Sequence, residues 1–104
     1  MADEYDAVWL ESHARVTLVE LSRCSGFPEA TLRELVEYGA LAMEEGAGTF
    51  AGECVGRLRQ AARLGHDLEL ETAAVALVLR YLERIESLEA EVRHLHAQIA
   101  APRR

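Results

Sequence analysis

Lysine is absent from this chain. All 11 basic residues are arginines, and they stand against 18 acids, for a formal net charge of -7 over 104 residues. That balance works against nonspecific attraction to nucleic acid or anionic lipid and suits a basic protein partner. Cysteine is nearly absent: Cys24 and Cys54 are too few and too scattered for a disulfide framework or a CxxC metal clip. No apolar run approaches the roughly 20 residues that a bilayer span needs. The opening stretch MADEYDAVWLES is acidic and lacks a signal-peptide pattern, so the expected compartment is a reducing cytoplasm.

The motifs of catalysis are missing too. HExxH, GxSxG, a P-loop and a Rossmann glycine fingerprint do not occur. The histidines are His13, His66, His94 and His96. His94 and His96 are two apart, which puts them on different sides of a helix and rules out a shared metal ion from that pair. Nothing in the spacing of Cys24, Cys54 and His66 asks for a metal; the two cysteines read as small structural thiols. His66-Asp67 reads as a solvated turn between helices. A protein that is not an enzyme, with no cofactor and no metal, is the expectation.

What is present is helical. With 50% hydrophobic and 28% charged residues, the chain reads as one small folded domain plus an appended element. Its core is modest, so a partner subunit would help. Residues 1–14 form an acidic lead-in, and Val8-Trp9-Leu10 there reads as either a short edge strand or an anchor. VTLVELSRCSG then reads as a short helix, with Thr17 and Glu20 at the spacing of a capping box and Gly26 turning the chain. Pro28 suits the first turn of a second helix, which runs to about Tyr38 with Leu32, Leu35 and Val36 on its apolar face. Gly39 ends it. Two short helices around a glycine turn make a helix-turn-helix.

EEGAGTF, residues 44–50, has the glycines of a tight loop or small wing, with Phe50 returning to the core. A third helix is expected over roughly 51–65, its wet side covered by Arg57, Arg59 and Arg63, before Gly65 and HDLELE break it. The last helix should span roughly 72–100. Its first part, AAVALVLRYL, is apolar nearly all round and should be covered on more than one side. Beyond it Val78, Tyr81, Ile85, Leu88, Val92, Leu95 and Ile99 alternate steps of three and four, a heptad seam expected to form a dimer interface. The seam suits either strand direction; in a parallel pair Arg84 would face Glu89 of the other copy, an attractive contact. The domain division is therefore an acidic N-terminal segment (1–14), a winged helix-turn-helix-like domain (15–70) and a long C-terminal helix (71–104).

GFPEATLRELVEYGAL, with Gly26, Leu32, Arg33, Gly39 and Leu41, resembles the MerR superfamily. The order of VTLVELSRCSG, LRELVEYGAL, the Phe of GTF, RQAARLGHDLELETAAVALVL and LERIESLEAEVRHL is similar to the chaperone-modulator family, CbpM, over about residues 15–100. The resemblance implies a mainly α fold: a MerR-like winged helix-turn-helix followed by a long dimerisation helix. It also implies binding to the J-domain of a DnaJ-like co-chaperone of the CbpA type, blocking both its work with Hsp70 and its attachment to DNA. Pro28 departs from the family pattern, which usually offers a serine cap there, and Gly48 stands where a larger residue is usual.

A DNA reader needs arginines on the recognition helix and wing to hold phosphates. Between Arg15 and Phe50 three arginines face six glutamates, so the segment that would meet DNA is acidic. Nucleic acid is therefore an unfavoured partner, and a dimeric MerR-like transcription regulator is the alternative. The expected protein contacts are Glu29, Glu34, Glu37, Glu44 and Glu45, with Tyr38 or Trp9 as an aromatic anchor.

Overall fold

The computed structural model describes residues 15–44 and 46–100. In order these form β1 (Arg15–Thr17), α1 (Leu18–Ser25), α2 (Glu29–Glu37), β2 (Thr49–Ala51), a single 3-10 turn (Gly52–Cys54), α3 (Val55–Leu68) and α4 (Thr72–Ala100). The Val8-Trp9-Leu10 triplet and Glu45 lie outside the described residues.

The capping box at α1 forms as its spacing predicts. Thr17 Oγ1 accepts from the Glu20 amide at 3.2 Å, and Glu20 Oε1 accepts from the Thr17 amide at 3.0 Å. The helix starts two residues later than expected, because Val16 and Thr17 are extended and pair with β2. The register is antiparallel, Arg15 opposite Ala51, Val16 opposite Phe50 and Thr17 opposite Thr49. β-branched residues favour that conformation, but the partner strand lies far along the chain, where local periodicity carries no trace of it.

Gly26 closes α1 in the left-handed region, φ 89°, which a residue with a Cβ rarely adopts. Two serines then fix the turn: Ser22 Oγ donates to the Phe27 carbonyl at 2.6 Å, and Ser25 Oγ accepts from the Phe27 amide at 3.2 Å. Pro28 is the N-cap of α2 rather than part of its first turn. Its carbonyl accepts from Leu32, and no side-chain hydrogen bond caps the helix there. Gly39, φ 77°, turns the chain after α2.

Gly65 does not break α3. The helix continues to Leu68 and closes at Glu69, which takes the left-handed cap itself, φ 53°. The role of Gly65 is close approach: a Cβ built on it would lie 3.1 Å from Val75 Cγ2, so the missing side chain lets α3 and α4 pack tightly. Val16, Leu21, Leu32, Leu35, Phe50, Val55 and Leu58 fill the centre with essentially no exposure. α4 contributes Val75, Ala76 and Leu79 to that core. It is covered on one side only, contrary to the expectation from AAVALVLRYL, since Leu77 and Tyr81 are 53% and 62% exposed. The helix then runs on from the domain, which stretches the molecule to 54 Å along its longest axis.

Candidate partner-binding surface

α2 presents its charged side outward because Leu32 and Leu35 hold the other side in the core. Glu29, Arg33 and Glu37 follow one another at steps of four, on one stripe of the helix surface. Glu34 lies beside them, and Tyr38, 52% exposed, stands at the helix end. Glu29, Glu34 and Glu37 are exposed and form no ion pair with any described residue.

Glu44 differs from those three. Its carboxylate meets Arg15 Nη2 at 2.6 Å, and its amide donates to the Thr49 carbonyl at 2.7 Å, which pins the base of the wing. Its charge is largely answered within the chain, so it is a weaker contact for a basic partner than its sequence position suggests. The wing turn itself uses Gly46 and Gly48, both at positive φ. Of the expected contacts, Trp9 and Glu45 fall outside the described residues, and Glu29, Glu34, Glu37 and Tyr38 spread across the exposed half of α2, with Glu29 and Tyr38 on its two flanks.

Between α2 and the wing lies a shallow cleft of about 260 Å³ lined by Leu18, Arg33, Val36, Glu37, Met43 and Phe50. Met43 is 47% exposed although it sits beside apolar neighbours. Sequence reasoning did not single it out; the available signal was a second large apolar residue, two after Leu41, in the otherwise small and charged run ALAMEEG.

The arginines of α3 are not a free basic stripe. Arg57 reaches across to α4 and donates from Nη1 to Glu86 Oε1 at 2.7 Å, with only 19% of its side chain exposed. Arg59 is half-buried, and Arg63 is exposed.

A second surface runs down α4. With about 100° of turn per residue, Val75, Leu79 and Glu86 share the side that faces the domain, Tyr81 and Leu88 lie roughly opposite, and Ile85 lies about a quarter turn from that side. Ile85, Leu88, Val92, Leu95 and Ile99 are 41% to 80% exposed, whereas Val78, the first residue of the seam, is half-buried against the domain core. Leu77, absent from the heptad count, joins the open face.

The remaining chemistry-bearing groups are dispersed. Cys54 is buried, and that burial pushes its thiol up to about 11, although Arg57 pulls the other way. Cys24 is half-buried in α1. His66 and Asp67 are both exposed, 3.6 Å apart, in the last turn of α3. No three His, Cys, Asp or Glu residues among those described are grouped to hold a metal ion, and no described helix is long and apolar enough to cross a membrane.

Comparison with family models finds one that matches residues 16–97, described as MerR HTH family regulatory protein. Comparisons with curated proteins and with solved structures return no match.

Proposed function

Because the chain belongs to the MerR HTH family of regulatory proteins, we propose that it regulates through the face of α2, and that this face binds the J-domain of a DnaJ-like co-chaperone of the CbpA type. Occupying that domain would block the co-chaperone's work with Hsp70 and its attachment to DNA. The observation that carries the reading is the unanswered negative charge on the recognition helix. Glu29, Glu34 and Glu37 are exposed without an ion pair among the described residues, and Arg33 stands alone between two of them. A duplex phosphate approaching this helix is repelled, whereas the basic helix that J-domains offer Hsp70 is attracted and steered. In this reading the protein works in the cytoplasm as a homodimer paired along Tyr81, Ile85, Leu88, Val92, Leu95 and Ile99.

A second reading, a dimeric DNA-binding transcription regulator, is favoured by the helix-turn-helix geometry and the family. Its difficulty is charge: Arg15 is engaged by Glu44 and Arg57 by Glu86. Titration calorimetry against a purified J-domain, beside gel shifts with genomic DNA fragments at low salt, separates the two. Binding to the J-domain that weakens with salt, and fails when Glu34 and Glu37 are both changed to Lys, is expected. Sequence-specific, salt-sensitive DNA binding without J-domain binding refutes the proposal.

A further inference from the structure

We infer that the cleft between α2 and the wing receives one aliphatic side chain from a basic, amphipathic helix of the partner, and that Met43 is its adaptable wall. The inference rests on the J-domain reading and goes further by locating the anchor and the sign of the groups around it. The cleft, about 260 Å³, falls below the roughly 300–1,000 Å³ of sites that take drug-sized molecules. Its size suits a side chain such as leucine or methionine. Leu18, Val36 and Phe50 supply a floor anchored in the domain core, and Met43 projects beside it half-exposed. A methionine at such a place adjusts its three torsions to whatever shape arrives.

The rim carries the charge argument. Glu37 lies on it, with Glu34 and Glu29 further along the same exposed helix, all without ion pairs among the described residues. An aliphatic side chain flanked one turn away by Arg or Lys matches an apolar cleft beside glutamates. Arg33, on the rim one turn before Glu37, supplies the opposite sign. A rim with one charge of each sign fixes the direction in which a partner helix can lie, since the reversed direction brings like charges together.

The chain has two methionines, so a Met43 methyl label is readily distinguished by NMR. The experiment titrates the full chain, labelled at the methionine methyls, with an unlabelled J-domain, and measures affinities of Met43→Asp and Met43→Ser by calorimetry. Expected are a large shift of the Met43 methyl and a loss of affinity of at least about tenfold in Met43→Asp, with a smaller loss in Met43→Ser, as for removal of one apolar anchor. Both variants alter a half-exposed residue outside helix and strand, and thermal melts verify that they fold. If the J-domain binds but the methyl does not move and both variants bind within twofold of the parent, the cleft is not the site, and the J-domain reading survives. Absence of J-domain binding by the parent chain overturns both. A methyl shifted by duplex DNA at low salt, and not by the J-domain, overturns both in favour of the second reading.

Discussion

The two ends of α4 both carry large apolar side chains, and these live in different surroundings. From Thr72 to Leu82 the helix leans on the domain and puts Val75, Ala76 and Leu79 at 4%, 4% and 2% exposure. From Glu83 to Ala100 every residue is exposed, although Ile85, Leu88, Val92, Leu95 and Ile99 are as apolar as those in the core. An apolar side chain gains about 1.5–3 kcal/mol from full burial. The near end collects that gain within one chain, and the far end finds no cover among the described residues. Regular apolar spacing thus marks a surface to be covered without saying which molecule covers it. The far end of α4 is where we place the second copy.

The largest effect that sharpens this contrast belongs to the near side. Phe50 is 1% exposed and pairs with Val16 across the sheet. Phe50→Ala should cost about 3–5 kcal/mol, seen as a lower melting temperature whose decrease does not depend on protein concentration. At the far end Leu88→Asp puts a charge into the middle of the seam. It should weaken self-association by about 3 kcal/mol, more than a hundredfold, while leaving the melt of the dilute monomer nearly unchanged. Sedimentation velocity across a dilution series reads the difference. A parent chain that stays monomeric at high concentration breaks the comparison outright.

Cys54 tests the near side differently. Its thiol is pushed up by burial from 9.0 to about 11. The folded state therefore holds a proton that the unfolded chain releases from about pH 9 upward, and stability falls as pH rises between those values. The full loss is about 3 kcal/mol, and Cys54→Ala should flatten that slope. The chain holds no lysine to titrate beside that thiol. A slope unchanged in Cys54→Ala would show that Cys54 is not its source.

The parts of this architecture that were legible in the sequence are those written within one or two turns of helix. Thr17 and Glu20 announce a cap, Gly26 and Gly39 announce turns, and the steps of three and four from Val78 onward give the length of α4. The sheet was not legible, because Val16 and Phe50 pair across a long stretch of chain that holds both α1 and α2. Gly65 misled for a related reason. Locally it is a helix breaker, and only the arrival of Val75 shows it as a contact point. For the candidate surface, the excess of glutamate was readable from composition, but which glutamates remain unpaired was not. Glu44 finds Arg15 across the wing base, and Met43 becomes part of a cleft only when Leu18 and Phe50 come alongside.

The smallest expected effect lies where the two ends of α4 meet. Arg57 holds Glu86 at 2.7 Å, on the domain-facing side of α4 and beyond the last buried residue, Leu79. The pair has the geometry of a brace that sets the angle at which the far end leaves the domain. Its energy should be slight, because Glu86 is 48% exposed and water screens the attraction. A double-mutant cycle of Arg57→Ala and Glu86→Ala should give a coupling of less than about 1 kcal/mol, shrinking as salt is added. If the ends of α4 are as independent as their burial implies, neither variant will change the dimer dissociation constant by more than about twofold, a difference under 0.5 kcal/mol. A larger change would show that the domain and the seam are energetically coupled through this brace. Binding at the α2 face could then reach the second copy along α4.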